Sequence, residues 1–302
     1  MGLFDGEPLT AWSAASLGVG ASIVVGLAAY LLRRPARRAG LLSRPRPDRF
    51  GDGRIPLVGG IALLLGIAVV SLALRIPPPR VHLIAGLGFF LIGLCDDATE
   101  LRPGLKLVLQ IVVAAWAAYL VAPTWTYAGL LLFSTLFLVN SCNYLDNMDG
   151  LLSGVAVMQA LALALVSVVW GAATGGGTLL LWTLPAVLLF SAPPARIYLG
   201  DAGSHLIGGL FAADVAVILI GPNGLRTHAL VPLAILFAVQ IADFATVSIS
   251  RQRAGRPLWE GGTDHLSHRL VRHGFAVPQA VLVLVLASAV CGFASLLLAH
   301  LF

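Results

Sequence analysis

Long apolar runs, each broken by proline, glycine or charge, follow one another along the whole chain. A helix that crosses a membrane needs about 17 to 25 mostly apolar residues. The runs that reach or approach this length lie near residues 10–32, 56–74, 81–95, 105–122, 128–142, 150–170, 178–192, 205–220, 229–247 and 277–300. The pattern predicts an all-α integral membrane protein with about ten transmembrane helices, built as a single polytopic domain over residues 1–302.

Basic residues between the apolar runs indicate which loops face the cytoplasm, because lysine and arginine are enriched on that side of a membrane. If the amino terminus lies outside, the inside loops are 33–55, 96–104, 143–149, 193–204 and 248–276. These loops and their immediate flanks hold every basic residue except Arg75, Arg80 and Arg226. The sequence therefore predicts that both termini lie outside and that these loops are cytoplasmic.

The composition also favours a membrane protein. The chain is 58% hydrophobic and 11% charged, with a mean hydropathy of +0.92, whereas soluble domains are about half apolar and about a quarter charged. Residues 1–9 lack a basic segment, so we expect no secretory leader and a retained first helix. The net charge of +5 comes from arginines beside apolar runs, which predicts contact with membrane lipid rather than nucleic acid. Cys95, Cys142 and Cys291 form no CxxC motif, which favours free thiols.

Acidic residues concentrate on the predicted cytoplasmic side, although the loops that carry them are far apart in sequence. They are Asp96, Asp97, Glu100, Asp146, Asp149, Asp201, Glu260 and Asp264. Ordinary solvated loops could give the same distribution. A shared functional site explains it better, and four segments contribute to that hypothesis.

The first segment is GLCDDATELRPGLK, residues 93–106. Adjacent carboxylates repel each other, so a pair such as Asp96 and Asp97 usually holds a cation or lets one member act as a base. Lys106, the only lysine in the chain, offers a compact ammonium for a phosphate. An ordinary acidic loop at a helix end is the alternative.

The second segment is LVNSCNYLDNMDGLLSG, residues 138–154. In a helix, Asn140, Asn143 and Asn147 would share one face, and Asp146 would lie one turn from Asp149. Carboxylates at membrane depth are costly and tend to line polar cavities. The segment predicts a ligand site, and a hydrophilic turn is the alternative.

The third segment is PPARIYLGDAGSHLIGG, residues 193–209, in which Gly200 and Gly203 flank Asp201. Small residues at a helix start leave room for phosphate oxygens, Asp201 offers a hard oxygen ligand for Mg²⁺, and Ser204 is the expected helix cap. A glycine-rich cap with an incidental aspartate is the alternative.

The fourth segment is the loop RQRAGRPLWEGGTDHLSHRLVRHGF, residues 251–275. It predicts a short helix from Thr263 or Asp264 to Gly274. Helical spacing places its basic side chains on one face, which favours a clamp for a diphosphate over a zinc site. A basic helix resting on anionic lipid is the alternative. The residues of this face are His265, His268, Arg269, Arg272 and His273.

Two aspartates lie within apolar runs. Asp243 is about one turn from the inside end of its run and can reach the same cavity, whereas Asp214 is deeper and is expected only to bond a neighbouring helix. Arg54 ends the long arginine-rich loop on the cytoplasmic side and precedes Gly59 and Gly60, which permit close packing.

Together these segments resemble the polyprenyl-phosphate N-acetylhexosamine-1-phosphate transferases. The likeness runs from about Arg54 to Phe275 and consists of an Asp-Asp pair followed by a lysine, NxxNxxDxxDG, PAxxxxGDxGS and a late histidine-rich loop. The resemblance implies transfer of a sugar 1-phosphate from a UDP-sugar to polyprenyl phosphate, with Mg²⁺ (or Mn²⁺ in its place). It further implies an active site on the cytoplasmic face of a bacterial-type inner membrane, and leaves open whether the enzyme is a homodimer.

The resemblance also implies roles for individual residues. Asp201 would bind the metal, Asp96 would deprotonate or position the lipid phosphate, and Asp97 would support the metal or Lys106. The nucleoside and sugar pocket would be lined by Asn143, Asp146 and Asp149, with Tyr198 stacked on uracil. The nucleotide or diphosphate would be held by Arg54, Lys106, His265, His268 and Arg269.

Two departures from the family pattern bear on the sugar donor. Asn147 stands where a glycine is usual, and His265-Leu-Ser-His268 replaces three consecutive histidines. Both favour a GlcNAc-type donor over the phospho-MurNAc-pentapeptide transferase branch, which remains the alternative. An ion-coupled transporter or lipid-binding membrane protein is the competing class, but the sequence has no internal repeat of the kind transporters show.

Overall fold

The structure is a computed structural model that describes residues 11–43, 54–74, 78–122, 124–172, 175–221 and 224–301. These ranges are almost entirely helical. Two two-residue strands, β1 (Ile220–Gly221) and β2 (Gly224–Leu225), pair antiparallel with Ile220 opposite Leu225. The helices are α1 (Ala11–Ala39), α2 (Gly59–Leu74), α3 (Arg80–Thr99), α4 (Pro103–Val121), α5 (Trp125–Leu145), α6 (Leu151–Val169), α7 (Gly176–Ser191), α8 (Gly200–Leu219), α9 (Leu230–Leu236), α10 (Ala238–Arg253), α11 (Leu266–Arg272) and α12 (Val277–Leu301).

The helices have the lengths and composition of membrane spans. Within the described ranges, seven are long and apolar enough to cross a membrane, and an eighth span results if α9 and α10 count as one bent pair. The apolar helices α2 and α7 have 16 residues each and are shorter. Each predicted apolar run thus corresponds to a helix or to the bent pair, and the all-α prediction is confirmed.

Helix α8 occupies the centre of the fold, and 94% of its most apolar 18-residue stretch is buried inside the structure. Glycines allow this burial by letting neighbouring backbones approach closely. A Cβ atom on Gly208 would lie 2.6 Å from Val139 Cα in α5, and one on Gly209 would lie 2.8 Å from the Ala85 carbonyl oxygen in α3. The sequence predicted this helix over 205–220, but it begins five residues earlier, so Asp201 lies in its first turn.

Two buried glutamine side chains provide hydrogen bonds at the break between α9 and α10, where the chain bends by 73°. Gln159 of α6 and Gln240 of α10 exchange hydrogen bonds of 2.5 and 2.6 Å, and Gln159 Nε2 also donates to the Leu236 carbonyl at 3.4 Å. A broken helix at membrane depth needs such partners, because its freed backbone groups have no water to bond.

Asp214 caps another helix. Its carboxylate accepts hydrogen bonds from the backbone amides of Gly175 at 3.2 Å, of Gly176 at 3.0 Å and of Gly177, and His82 Nε2 lies 2.6 Å away. Asp214 lies thirteen positions after Asp201 along α8, or about 20 Å at the rise of an α-helix. Asp214 therefore anchors the start of α7, at the far end of α8 from Asp201, which goes beyond the simple helix–helix bond that was expected.

Candidate active site

A lysine joins two carboxylates where α3, α4 and α8 meet. Lys106 Nζ lies 2.9 Å from Asp96 Oδ2 and also contacts Asp201 Oδ2. The side chains are 16–24% exposed, so the cluster opens to solvent while resting on a buried helix. The structure brings Asp96, Lys106 and Asp201, which the sequence analysis assigned to one site, into direct contact.

The turn between α3 and α4 explains how Asp96 and Lys106, which are ten positions apart in the sequence, come into contact. Helix α3 ends at Thr99 because Glu100 adopts a left-handed conformation, with φ +52°. Helix α4 then starts at Pro103, a residue suited to the first turn because it lacks an amide proton. The intervening Leu101 amide donates to Asp96 Oδ1 at 2.7 Å, which holds the turn and leaves Asp96 Oδ2 for Lys106.

Asp97 caps the start of α8 from outside that helix. Its oxygens accept hydrogen bonds from the amides of Asp201 at 2.8 Å and Ala202 at 3.0 Å. Gly200 makes room, since it has φ +69° and a Cβ there would lie 2.5 Å from Asp97 Oδ2. Ser204, the expected cap, lies in the second turn, and its hydroxyl donates to the Asp201 carbonyl at 3.3 Å. Asp97 thus orients Asp201 through its backbone.

The Asn-Asp segment meets the loop before α8. Asp149 Oδ1 accepts from the Tyr198 hydroxyl at 2.9 Å, and Asp149 Oδ2 accepts from the Ala195 amide at 3.0 Å. The amides of Gly59 and Gly60 donate to the carbonyls of Tyr198 and Leu199, at 2.9 and 3.0 Å. Asp149 and Tyr198, which the sequence analysis assigned to one pocket, therefore lie together and are hydrogen-bonded to each other.

The other members of the predicted pocket lie nearby or at its edge. Asn143 is half-buried on the last turn of α5, and Asp146, also half-buried, is the residue at which that helix ends. Arg54 is exposed and lies two residues before Pro56, whose carbonyl accepts from the Tyr198 amide at 3.0 Å. The chain at Arg54 is thereby held beside the loop that leads into Asp201.

A buried chain of neutral polar side chains extends inward from the Lys106 cluster. Gln110 Nε2 lies 2.9 Å from His205 Nε2, Asn140 Nδ2 donates to Gln110 Oε1 at 3.0 Å, and the Asn143 amide lies 3.4 Å from His205 Nδ1. The sequence analysis missed Gln110 and His205. The available signal was helical spacing, because they follow Lys106 and Asp201 by four residues each.

The loop helix α11 is docked by a carboxylate from α10. Asp243 Oδ1 accepts from the Leu266 amide at 2.8 Å, and Asp243 Oδ2 lies 2.8 Å from His265 Nδ1. Asp243 thus contacts the loop helix from within α10. Of the predicted basic face, His265 and His268 are buried, whereas Arg272 and His273 are exposed.

The arginines of α11 differ in exposure. Arg269 is half-buried and its Nε donates to the Asp264 carbonyl at 3.1 Å, whereas Arg272 is exposed and its Nη1 donates to the Thr263 carbonyl at 2.7 Å. Helical spacing alone could not reveal which side chains of α11 are buried, because the element that packs against this helix is α10. Both arginines tie the helix to the loop before it.

A further arginine, which the sequence analysis did not single out, holds the loop against α5. Arg251 is buried, its Nε lies 3.1 Å from Asp264 Oδ2, and its Nη1 donates to the Leu258 carbonyl. The Tyr144 hydroxyl donates to the same carbonyl at 2.6 Å, and the Arg251 guanidinium lies 5.4 Å from the Tyr144 ring centre. The loop is thus fixed beside the Asn-Asp segment.

The two departures from the family pattern contact each other. Ser267 donates to Asn147 Oδ1 at 2.7 Å, and Asn147 Nδ2 donates to the Tyr144 carbonyl at 2.8 Å. Ser267 is fully buried. The bond therefore joins α11 to the turn between α5 and α6, which carries Asp146 and Asp149.

We expect Asn147→Gly and Ser267→Ala to act as one unit. Each change removes the Ser267–Asn147 bond and should lower kcat/KM for the UDP-sugar that the resemblance implies by about 1 kcal/mol. Asn147→Gly also loses the bond to the Tyr144 carbonyl and should cost more, and the double variant should be no worse than Asn147→Gly alone. Initial rates of the four proteins complete the cycle. Additive losses would show that the two residues act separately.

The donor set of the cluster fits a magnesium ion. Asp96 and Asp201 supply hard carboxylate oxygens beside Lys106, whereas both oxygens of Asp97 are bonded to backbone amides of α8. Among the described residues no group of three acidic, histidine or cysteine side chains is arranged to hold a metal. Mg²⁺ is commonly held by one or two carboxylates together with substrate phosphates. Asp201 and Asp96 are the residues that would hold it.

The chain is similar to known glycosyltransferases. The family model described as glycosyl transferase family 4 matches residues 80–221. A Streptomyces coelicolor protein with a provisional glycosyltransferase name is 34% identical over 292 residues, which cover 92% of this chain and 68% of that protein.

Two further relatives carry more specific names. The undecaprenyl-phosphate alpha-N-acetylglucosaminyl 1-phosphate transferase of Escherichia coli K12 is 26% identical, over 86% of this chain and 77% of its own. The decaprenyl-phosphate N-acetylglucosaminephosphotransferase of Mycobacterium tuberculosis is 29% identical, over 92% and 81%. The chain belongs to glycosyl transferase family 4.

Proposed function

We propose that the protein transfers an N-acetylhexosamine 1-phosphate, most simply GlcNAc 1-phosphate, from a UDP-sugar to polyprenyl phosphate. The observation that carries the proposal is the Asp96–Lys106–Asp201 cluster at the end of three apolar helices. A phosphate at the head of a membrane lipid and a soluble nucleotide can meet there. Relatives named for this transfer to undecaprenyl and decaprenyl phosphate support it.

The proposed reaction needs charge neutralisation more than covalent chemistry. An oxygen of the lipid phosphate attacks the β-phosphorus of the UDP-sugar, the bond from that phosphorus to the bridging oxygen breaks, and UMP leaves with the electron pair. Two anions must approach, so Lys106 offers one positive charge beside them. Mg²⁺ (or Mn²⁺), when bound by Asp201 and Asp96, supplies Lewis-acid stabilisation of the phosphate oxygens.

The remaining residues of the site are assigned to the sugar donor. Asn143, Asp146 and Asp149 would line the donor pocket, and the hydrogen bond from Tyr198 to Asp149 would orient the Tyr198 ring for stacking on uracil. Arg54 and Arg269 supply positive charge for the nucleotide phosphates, and His268 supplies a hydrogen-bonding group. His265 is a positioning residue bonded to Asp243. Asp97 orients Asp201 through the α8 amides.

The proposal includes a placement in the membrane. Ten spans follow if the bent α9–α10 pair counts once and the shorter helices α2 and α7 also cross. Both termini then lie outside, and the cluster faces the cytoplasm, where nucleotide sugars are made available. The distribution of arginine supports this orientation in a bacterial inner membrane.

The donor assignment and the enzyme class can be tested together. We expect purified protein in liposomes with polyprenyl phosphate and Mg²⁺ to release UMP from UDP-GlcNAc, and more slowly from UDP-MurNAc-pentapeptide. A chelator should stop the release, and added Mg²⁺ or Mn²⁺ should restore it. Preference for the pentapeptide donor would overturn the branch assignment. Absence of UMP release with every UDP-sugar and both metals would overturn the proposal.

A transporter is the competing class, and it has less support. Its candidate ion path would need free carboxylates within the helices. Asp214 is bonded to three amides and to His82, and Asp243 is bonded to His265 and the Leu266 amide. Both carboxylates are therefore occupied in holding helix ends together.

The arginines of α11 give a matched pair of variants. Because charge moves onto the departing UMP, a charge-assisted hydrogen bond from Arg269 strengthens in the transition state. We expect Arg269→Ala to lower kcat by about ten- to a hundredfold, the value of a bond of about 1.5 to 3 kcal/mol. Steady-state kinetics with the UDP-sugar would measure it.

Arg272→Ala is the control, because Arg272 also bonds a backbone carbonyl of the preceding loop but is exposed. Equal kcat values for wild type and both variants, in detergent and in anionic liposomes, would indicate that α11 contacts anionic lipid and does not bind the diphosphate.

A further inference from the structure

We propose that the carboxyl-terminal end of α1 binds the phosphate head groups of anionic phospholipids, and that this contact steadies the segment on which Tyr198 rests. The surface consists of Arg33, Arg34, Arg37 and Arg38, called here the arginine face. The proposal goes beyond the transfer reaction and does not depend on it. It rests on α1 being long and apolar enough to cross a membrane.

One side of α1 packs against the helix bundle. Val25 lies against Gly66 of α2, and a Cβ atom on Gly26 would lie 3.6 Å from the Phe190 ring of α7. Buried residues recur along this side at helical spacing, so they form one stripe. They are Ala21, Val25, Ala29 and Ala36. Because the stripe continues to Ala36, the opposite side of the helix faces away from the bundle along this whole length.

The outward side of α1 changes from apolar to basic within one turn. Its apolar side chains are 54–64% exposed, and they are Val19, Ile23, Leu27, Tyr30 and Leu31. At 3.6 residues per turn, these residues and the arginine face lie within the same half of the helix circumference. An exposed apolar stripe on a membrane span faces lipid, so the arginines that continue it lie where the hydrocarbon ends and the head groups begin.

Tyr30 marks the same level. The Arg33 guanidinium lies 4.7 Å from the centre of the Tyr30 ring, and tyrosine is enriched where a membrane meets water. An aromatic ring with its polar end beside an arginine suits the head-group region. The arginine face is therefore directed at lipid head groups rather than at the hydrocarbon.

The charge of the arginine face is not balanced within the described parts of the chain. Arg34, Arg37 and Arg38 are exposed and Arg33 is half-buried, and none of the four takes part in the ion pairs formed there. Basic side chains at this depth attract anionic lipid, and a guanidinium can hold a phosphate through two parallel hydrogen bonds. Charge complementarity thus identifies a phosphate-bearing head group as the occupant.

The fold separates this surface from the Lys106 cluster. That cluster lies where α3, α4 and α8 meet, whereas α1 packs on α2 and α7. Helix α2 in turn packs on α8, with Gly60 against Gly203. A lipid on the arginine face therefore does not occupy the place of the reacting phosphate. For this reason we assign the surface to bulk anionic phospholipid and not to the lipid acceptor.

Backbone hydrogen bonds connect the end of α1 to the candidate active site. After α1, Leu42 pairs with Pro56 in an antiparallel bridge, and the Ser43 amide donates to the Ile55 carbonyl at 2.8 Å. The Pro56 carbonyl accepts from the Tyr198 amide at 3.0 Å. A lipid that holds the end of α1 thus restrains the segment that holds Tyr198.

Lipid titration of the full-length protein in neutral detergent tests the binding surface. We expect phosphatidylglycerol to raise the unfolding temperature at concentrations at which phosphatidylcholine has no effect. Replacing both Arg34 and Arg38 by glutamine should weaken phosphatidylglycerol binding by about twenty- to thirtyfold, because each basic residue near an anionic surface contributes about fivefold. Replacing both by lysine, which keeps the charge, should retain most of the affinity.

The matched control replaces Arg253 and Arg272 by glutamine, which removes the same charge from exposed positions on α10 and α11. This variant should bind phosphatidylglycerol within about twofold of wild type. Equal weakening in both glutamine double variants, or equal affinity of wild type for phosphatidylglycerol and phosphatidylcholine, would overturn the proposed site. Polyprenyl phosphate is titrated in parallel, and a loss of affinity confined to that lipid in the Arg34 and Arg38 variant would make the surface an acceptor site instead.

Hydrogen exchange tests the connection to the active site without requiring activity. Phosphatidylglycerol should slow exchange of the Ser43 and Tyr198 amides in wild type and leave it unchanged in the glutamine variant of Arg34 and Arg38. Unchanged exchange in wild type at saturating lipid would overturn the restraint on Tyr198. If the protein released no UMP from any UDP-sugar, the proposed function would fail, while these measurements would still decide whether the arginine face binds lipid.

Discussion

Replacing Asp201 by asparagine is expected to abolish transfer while leaving the fold intact. The change keeps the shape of the side chain and its place in the first turn of α8, but removes the negative charge that would hold Mg²⁺ and that contacts Lys106. A bound metal stabilises charge in the transition state by several kcal/mol, so kcat should fall by about a thousandfold or more. UMP release at saturating substrates measures the loss.

The control for this change is Glu260→Gln, which removes an acidic charge from the loop before α11. Glu260 is half exposed and pairs with Arg256 at 3.4 Å, so its replacement should leave kcat unaltered. A second measurement follows stability with and without Mg²⁺, because the wild type should gain from the ion and Asp201→Asn should not. Near wild-type turnover in Asp201→Asn would remove this carboxylate from the mechanism.

Lys106→Met is expected to have the second largest effect. The methionine keeps the length of the side chain and the packing of its stem, but leaves Asp96 and Asp201 facing each other without their shared partner. Removing one preorganised donor from a site of developing charge costs about 10²–10³ in kcat. We therefore expect kcat to fall by about this factor, measured by UMP release across a range of lipid phosphate concentrations.

A matched variant distinguishes charge from geometry at this position. Lys106→Arg keeps the positive charge but spreads it over a planar fork, which cannot replace a compact ammonium between two carboxylates. Its kcat should lie between those of wild type and Lys106→Met. If Lys106→Met retained the wild-type rate, the lysine would serve only as an ion-pair partner for the carboxylates.

The sequence predicted the helices and the charged residues of the site because both signals are strong in a membrane protein. An apolar run of membrane length has few alternatives to a helix, and a carboxylate beside such a run is rare without a partner. Asp96, Lys106 and Asp201 could therefore be grouped before their contacts were known. The start of α8 was placed too late, because Ser204 was interpreted as the helix cap and Gly200 and Gly203 as part of the preceding loop.

The sequence could not show which residues that are far apart in the chain contact each other in the fold. The cap of α8 is Asp97, which lies 104 residues before the Asp201 amide it binds. His265 follows the helical spacing of a basic face, but its partner Asp243 comes from α10, so spacing alone could not show that the ring is buried. Gln110 and His205 carry no charge, so they were not distinguished from other residues of apolar helices.

Helix starts capped by side chains from other helices have a consequence for how the nascent chain enters the membrane. The first amides of α7 are bonded by Asp214, which the ribosome adds 38 residues after Gly176. Until then these amides have no such acceptor, and an unpaired amide in hydrocarbon costs several kcal/mol. Helix α7 therefore gains this cap only after α8 has been made. We expect α7 to be less firmly held in a chain truncated between the two helices.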